Sequence, residues 1–162
     1  MMFKAERPLG AKPDAYREIG LMARGLIGDE RDPIANAANL SALIFDMVPD
    51  LNWAGFYFVK GGRLLLGPFQ GRPACVHIDI GKGVCGTAAQ NRQTIVVADV
   101  AKFPGHIACD VASRAEIVVP LVKDGRLIGV LDIDSSVTHR FDADDQTGIE
   151  ALAAFWLTAS DV

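Results

Sequence analysis

Cysteine is scarce in this chain of 162 residues and occurs only at Cys75, Cys85 and Cys109. An odd number of cysteines without a C-x-x-C pair excludes the disulfide framework of a small secreted domain. It also weakens the case for a four-cysteine zinc site. In a reducing cytosol we expect these residues to be thiols, and any disulfide among them to be transient.

Clustered positive charge and long apolar runs are missing as well. The 16 basic and 20 acidic side chains leave a net charge of −4, whereas a nucleic-acid-binding face needs clustered lysine and arginine. No apolar run approaches the roughly 18 residues that span a bilayer, and residues 1–7 lack the apolar stretch of a secretory signal. We therefore expect a cytoplasmic protein that binds neither nucleic acid nor membrane.

The length of the chain suits a single domain, since domains have about 100–200 residues. Hydrophobic residues make up 50% of the chain, which is enough for one core that folds without a metal or disulfides. We assign residues 1–13 to an N-terminal segment and residues 14–160 to the domain.

Hydrophobic spacing and capping residues predict three long helices and a short one. The first covers residues 14–25. The second begins after the N-cap Asp32 and is closed by Pro49, and the last begins after the N-cap Asp142. The short helix follows the glycine-rich segment 81–86.

Runs of β-branched and aromatic residues between turn signals predict strands over residues 53–59, 63–69, 75–78, 94–98, 116–122 and 126–134. Residues 99–115 show little periodicity and are predicted to form a long loop, which in a compact domain usually has a function. The order of elements predicts an α+β domain with a central antiparallel six-stranded sheet and flanking helices.

The last predicted strand carries two carboxylates on one face. Because side chains alternate along a strand, Asp132 and Asp134 share one face, while Leu127, Leu131 and Ile133 share the other.

The turn before this strand decides which residues face each other. A two-residue turn would set Ile117 opposite Asp132. A three-residue turn over residues 123–125 sets Ile117 opposite Leu131 instead, and Glu116 opposite Asp132. Since a slip of one residue reverses every side chain, the apolar match favours the three-residue turn.

These faces bring Glu116, Asp132 and Asp134 together at one end of the sheet. Three carboxylates that lie close together repel one another unless they share a cation or protons, so at least one pKa should be raised. Such a cluster suits an ammonium ligand, a metal, or an acid that protonates a substrate oxygen. The alternative is a solvated strand end with three ordinary surface acids.

Each cysteine has its own environment in the sequence. Cys109 lies in the predicted loop, three residues after His106, and a cysteine near a potentially cationic imidazole is the best candidate nucleophile. Cys75 lies in an apolar run and could be a buried hydrophobe. Cys85 stands where the glycine-rich segment enters a helix, where N–H groups favour a thiolate or an anionic ligand. A zinc site formed by Cys75, His77, His106 and Cys109 is conceivable, although the spacing of these residues matches no common zinc motif.

Two further features have ordinary interpretations. Trp53 and Tyr57 share a strand face with Gly55, which leaves space between two rings, but an aromatic strand is more often packing than a ligand site. The segment 81–86 lacks the Lys-Ser/Thr ending of a P-loop, so nucleotide binding is a weak interpretation.

Four segments taken together resemble the free methionine-(R)-sulfoxide reductases, which are small stand-alone GAF-domain enzymes: NWAGFY at 52–57, GPFQG at 67–71, GKGVCG at 81–86 and VLDIDS at 130–135. The resemblance extends from about Tyr16 to Trp156. It implies a GAF-like fold, reduction of the R epimer of free methionine sulfoxide, a homodimer, and no metal or organic cofactor.

The resemblance also implies roles for the three cysteines. Cys109 would be the catalytic cysteine, which attacks the sulfoxide sulfur and becomes a sulfenic acid. Cys75 would resolve it as a disulfide, and a thioredoxin-like electron donor would restore the thiols. Cys85 would be an auxiliary thiol used in recycling.

The acids and aromatic residues receive roles from the same resemblance. Glu116 and Asp134 would polarise the sulfoxide oxygen and help to protonate it, and Asp132 would hold the ammonium group of the substrate. Trp53 and Tyr57 would hold its S-methyl end, and backbone N–H groups of residues 105–109 would bind its carboxylate.

The main alternative is a GAF domain that binds a small molecule as a sensory module without catalysis. The thiols and acids have no evident purpose in such a module. A metal-dependent hydrolase that uses the carboxylates is a third alternative, but it lacks histidines at ligand spacing.

Overall fold

The computed structural model describes residues 3–162 and contains two long β-hairpins, which together form the middle of one sheet. The strands are β1 (Leu51–Lys60), β2 (Arg63–Gly71), β3 (His77–Asp79), β4 (Ile95–Val97), β5 (Ala115–Lys123) and β6 (Arg126–Ser135). Their order across the sheet is β3-β2-β1-β6-β5-β4, and every neighbouring pair is antiparallel.

The helices are α1 (Lys12–Ile27), α2 (Pro33–Met47), α3 (Gly83–Asn91) and α4 (Ala143–Ala159), and a 3-10 turn covers Val100–Lys102. The predicted α+β fold is therefore confirmed. No helix among residues 3–162 is long and apolar enough to cross a membrane.

Two helices begin where the sequence predicts their N-caps. The side chain of Asp32 accepts hydrogen bonds from the backbone N–H groups of Ile34 and Ala35, at 2.9 Å each. Asp142 caps α4 in the same way, and the Asp145 carboxylate accepts a hydrogen bond from the backbone N–H of Asp142. These bonds satisfy N–H groups that have no partner within the helix.

The first helix is longer than predicted at both ends. It begins at Lys12, because Pro13 is tolerated in the first turn and does not have to precede the helix. It continues past Gly25 to Ile27 and ends at Gly28, whose φ of +56° suits glycine.

The sheet separates two hydrophobic cores. Helices α1, α2 and α4 cover one face, where Trp156 packs against the rings of Phe56 and Phe58. The other face carries α3 and the loops beside it, and its buried strand residues include Val118 and Val130. Since Glu116 and Asp132 belong to the strand face of Val118 and Val130, they lie under the loops rather than under the three long helices.

The β5–β6 hairpin differs from the prediction in its turn. Lys123 pairs with Arg126, so the turn has two residues, Asp124 and Gly125, with φ of +51° and +75°. Positive φ at both positions is typical of the tight turn that matches the twist of a hairpin. The predicted three-residue turn is wrong.

A β-bulge then shifts the register by one residue. Val122 pairs with Leu127, but Leu121 pairs with Gly129, which leaves Ile128 as the extra residue. Beyond the bulge, Glu116 faces Asp134 instead of Asp132. The bulge also corrects the prediction for Leu127, which packs on the α3 face and not with Leu131 and Ile133.

The strand predicted over residues 75–78 is displaced. β3 covers His77–Asp79, so Cys75 lies in the loop that joins β2 to β3. The predicted long loop is confirmed apart from its 3-10 turn.

Candidate active site

Two loops meet above the α3 face of the sheet, and a disulfide joins them. Cys75 in the loop after β2 is bonded to Cys109 in the loop before β5, with their Cα atoms 5.5 Å apart. Cys109 lines a pocket together with Glu116, Asp132 and Asp134. The structure therefore places one sulfur of the disulfide, that of Cys109, at the pocket of the three acids.

The same bond argues against the zinc alternative. Zinc ligation requires free thiolates, and both cysteines of that proposed site are used in the disulfide. His77, the other proposed ligand, is exposed to solvent at the edge of the sheet.

The carboxylate cluster predicted from alternation is present. Glu116 on β5 faces Asp134 on β6, and Asp132 faces Val118 on the same side of the sheet. Glu116 and Asp132 are each only 6% exposed, so the alternative of ordinary surface acids is wrong for these two. Asp134 at the strand end is partly exposed.

Burial keeps protons on this cluster. Burial, together with the nearby charge of Asp134, raises the pKa of Glu116 to about 8. Burial also raises the pKa values of Asp132 and Asp134 well above their ordinary range. The charge of Glu116 adds to the increase at Asp132, and the charges of Asp132 and Asp110 add to the increase at Asp134. At neutral pH the cluster can therefore donate a proton.

His106 reaches this cluster from the loop of Cys109. Its Nε2 lies 3.5 Å from Oε2 of Glu116. Burial lowers its pKa, which disfavours the positive charge expected beside Cys109. The sequence indicated His106 only as a neighbour of Cys109 and missed its approach to Glu116, which depends on how the loop folds back.

Trp53 and Tyr57 stack on each other across Gly55. Their ring centroids lie 5.9 Å apart, which is the spacing of a stacked aromatic pair. The predicted space between the rings is therefore absent, although both rings line the pocket. A Cβ on Gly55 would lie 2.8 Å from the Trp53 ring and 2.3 Å from the Cβ of Phe69, so only glycine permits this packing.

Both aromatic residues also hold the loop that carries Cys75. Trp53 Nε1 donates a hydrogen bond to the carbonyl of Arg72 at 3.1 Å, and the Tyr57 hydroxyl donates one to the carbonyl of Cys75 at 3.0 Å. The sequence did not indicate these bonds, because they link residues 18 and 19 positions apart through a loop of irregular structure.

Comparisons with known proteins show which family the chain resembles. A GAF domain model matches residues 36–155. The free methionine-R-sulfoxide reductase of Escherichia coli is 48% identical over 143 residues, which cover 88% of this chain and 87% of that protein. The chain belongs to the free methionine-R-sulfoxide reductase family.

Solved structures of the family have the same fold. The free methionine-R-sulfoxide reductase of Neisseria meningitidis, solved in complex with its substrate, has a TM-score of 0.93 and 41% identity, and the match covers 98% of this chain and 95% of that one. The reduced form of fRMsr from Staphylococcus aureus has a TM-score of 0.86 and 53% identity over 89% of this chain and 94% of that one.

The third cysteine of this family member lies against the acids. The Cys85 thiol donates a hydrogen bond to Oε1 of Glu116 across 3.9 Å and is 4% exposed. Burial raises its pKa well above the ordinary value, and the charges of Asp132 and Glu116 add to this effect. The thiolate expected at the start of α3 is therefore disfavoured, because burial and the acids outweigh the helix N–H groups.

Cys85, Glu116 and Asp132 place ligand atoms within 4.8 Å of one another. Such a set could hold a metal ion only after losing its protons. Burial favours the protonated form of all three groups, so we do not assign a metal site to them.

Proposed function

We propose that the protein reduces free L-methionine-(R)-S-oxide to L-methionine with two of its own thiols. The observation that carries the proposal is the Cys75–Cys109 disulfide beside a buried, protonated acid cluster. The membership in a family whose Neisseria meningitidis member was solved with its substrate also supports it.

In the first half of the reaction, the sulfur of Cys109 attacks the sulfoxide sulfur. Glu116 and Asp134 polarise the sulfoxide oxygen and protonate it, which makes it a better leaving group. The attack joins the two sulfur atoms, and the protonated oxygen leaves the substrate sulfur as water. A water molecule then attacks the sulfur of Cys109, the bond between the two sulfur atoms breaks with its electron pair on the substrate sulfur, and methionine leaves as a thioether. Cys109 is left as a sulfenic acid, so the cysteine is oxidised by two electrons while the substrate is reduced by two.

In the second half, the sulfur of Cys75 attacks the sulfur of Cys109. The bond between the Cys109 sulfur and its hydroxyl group breaks, the hydroxyl leaves with the Cys75 proton as water, and the disulfide forms. The net change is that two thiols lose two hydrogen atoms, which leave with the substrate oxygen as water. A thioredoxin-like dithiol then reduces the disulfide by exchange and itself becomes oxidised.

Asp132 is suited to hold the ammonium group of the substrate. Its Oδ1 is buried and has no hydrogen-bond partner among residues 3–162, and a buried polar atom of this kind is costly unless a ligand satisfies it. A peptide-bound methionine has an uncharged amide nitrogen in place of the ammonium group. The proposed site therefore selects the free amino acid.

The remaining contacts complete the substrate site. Trp53 and Tyr57 contact the S-methyl group along the edge of their stacked pair. Backbone N–H groups of residues 105–109 bind the carboxylate. The auxiliary thiol of Cys85 stays neutral and donates a hydrogen bond to Glu116. Because this thiol is buried, it is poorly placed for exchange with a reductant.

We also propose a homodimer in the cytoplasm, from the family resemblance and from the need for a thioredoxin-like reductant that regenerates the thiols after each turnover.

Epimer-resolved consumption of racemic free methionine sulfoxide tests the proposal. With a dithiol reductant and a chelator present, we expect the R epimer to disappear and the S epimer to remain, with methionine formed in equal amount. A sensory module would bind the compound without consuming it, and a metal-dependent enzyme would stop in the chelator. Either result would contradict the proposal.

A further inference from the structure

The loop that carries Cys109 has few ties to the rest of the protein. Among residues 3–162, the hydrogen bonds that join residues 104–113 to elements outside the loop both come from Asn52. Other contacts of this loop are the Cys75–Cys109 disulfide, the approach of His106 to Glu116, and the packing of Ile107 against Gly83. Reduction of the disulfide removes the covalent tie and leaves unchanged the groups that form the bonds from Asn52.

Asn52 owes its position to a second β-bulge. Leu51 pairs with Ser135 and Trp53 pairs with Asp134, so Asn52 is an extra residue in β1 between two consecutive residues of β6. A bulge bends its strand and redirects the side chain of the extra residue. Here the side chain reaches the loop directly beside Cys109, while the next residue, Trp53, still lines the pocket.

The contact that Asn52 makes requires a side chain that donates two hydrogen bonds. Its Nδ2 donates to Oδ2 of Asp110 at 3.1 Å and to the hydroxyl of Ser113 at 3.0 Å. An aspartate in this place could not donate and would repel Asp110. Oδ1 of Asn52 is buried with no hydrogen-bond partner among the described residues. Burying this oxygen without a partner costs free energy, so the contribution of Asn52 comes from the two bonds that its Nδ2 donates.

The other oxygen of Asp110 shapes the loop. Its Oδ1 accepts a hydrogen bond from the backbone N–H of Ala112 at 2.9 Å, which is a local turn of the kind that aspartate favours. One carboxylate thus links the turn after Cys109 to the first strand of the sheet. The same strand carries Trp53 opposite Asp134, so the loop and the acid cluster have a common support.

We propose that Asn52 is a positioning residue that keeps Cys109 over the acid cluster in the dithiol state, after the disulfide no longer holds the loop. The inference rests on the proposed function. In this role, Asn52 limits how far the attacking sulfur moves between the substrate and Cys75. Loss of this support would lower the rate of attack, because even a small displacement of the reacting atoms lowers the reaction rate strongly.

The test uses a reciprocal exchange of the two side chains. Asn52→Asp removes the donor and places two carboxylates together. The double variant Asn52→Asp with Asp110→Asn restores one donor and one acceptor in reversed order, and the amide oxygen at position 110 can still accept from Ala112. Asn39→Asp makes the same chemical change at an exposed position on α2 and serves as the matched control.

The measurement is methionine formation from free methionine-(R)-sulfoxide in a single turnover of fully reduced protein, with no added reductant. We expect the maximal single-turnover rate of Asn52→Asp to be at least tenfold lower. The substrate concentration that gives half of this rate should change less than threefold, since Asn52 does not line the pocket. The double variant should recover most of the rate, and Asn39→Asp should react like the unchanged protein. A melting curve of each reduced variant shows whether it is folded.

An Asn52→Asp rate within twofold of the unchanged protein would overturn the inference. So would a folded double variant that reacts as slowly as Asn52→Asp. If Asn52→Asp does not fold, the double variant decides alone: a rate near that of the unchanged protein supports the inference, and a tenfold loss overturns it. Absence of methionine from the unchanged protein and from Asn39→Asp would instead contradict the proposed function, and the inference with it.

Discussion

Glu116 and Asp134 face each other directly across the β5–β6 pair, and the bulge at Ile128 makes them partners. Carboxylates in opposite positions of a sheet repel each other when both are charged. Burial of Glu116 adds a second penalty on its charged form, and together these effects raise its pKa to about 8. The pair is therefore suited to hold a proton at neutral pH next to the Cys75–Cys109 disulfide.

The two disulfide cysteines should have separable roles. We expect Cys109→Ser to form no methionine from free methionine-(R)-sulfoxide, because the attacking sulfur is gone. Cys75→Ser should still form about one methionine per protein in a single turnover, since the first step needs only Cys109, but its steady-state turnover should be slow. Quantified methionine in rapid-quench samples measures both steps, and unimpaired turnover by Cys109→Ser would contradict the mechanism.

Glu116 and Asp132 should affect different kinetic constants. Glu116→Gln removes the proton donor and should lower the single-turnover rate by about 10²–10⁴-fold. Binding of the ammonium group would favour the charged form of Asp132, which Asp132→Asn cannot adopt, so this variant should mainly raise KM, by about tenfold or more. Steady-state kinetics with free methionine-(R)-sulfoxide separate the two effects, and the opposite ordering would mean that the two roles are exchanged.

The raised pKa of Glu116 predicts a stability that falls as pH rises. Glu116 has an ordinary pKa of 4.5 and a folded-state pKa of about 8, so the folded state binds more protons than the unfolded state between these values. The free energy of unfolding should therefore decrease from about pH 4.5 to about pH 8. Glu116→Gln stays neutral at every pH and should lose part of this decrease in denaturant titrations at pH 5 and pH 8.

The control for this measurement is Glu18→Gln on the exposed side of α1, which should keep the pH dependence of the unchanged protein. If Glu116→Gln and the unchanged protein lose equal free energy of unfolding between the two pH values, the buried proton does not belong to Glu116.

Gly55 should be required for the packing of the aromatic pair. A Cβ there would lie 2.3 Å from the Cβ of Phe69 and 2.8 Å from the Trp53 ring, so we expect Gly55→Ala to destabilise the protein by about 1–3 kcal/mol through overpacking. Gly20→Ala, in α1 with no atom within 4 Å of its Cβ, should stabilise it by up to about 1 kcal/mol. Thermal unfolding of both variants tests the difference, and equal melting temperatures would contradict it.

Local physical rules were sufficient for the features that depend on neighbouring residues in the chain. Asp32 and Asp142 were identified as N-caps because a capping carboxylate acts within three residues of its own position. Asp132 and Asp134 were placed on one face because strand alternation needs only the strand itself. The family resemblance, carried by four short motifs, indicates Cys109 and Cys75 from the sequence alone.

The sequence by itself thus determined the fold class, the shared strand face of Asp132 and Asp134, and the residue types on which the proposed chemistry depends. Tertiary structure decided what meets across long separations: the register that pairs Glu116 with Asp134, the disulfide between cysteines 34 residues apart, and the contact of Asn52 with the loop. A bulge adds one residue without a distinct local signal, and its position follows from how two strands and their hydrophobic faces fit together. The raised pKa values have the same origin, because burial is a property of the assembled core and not of any segment of the chain.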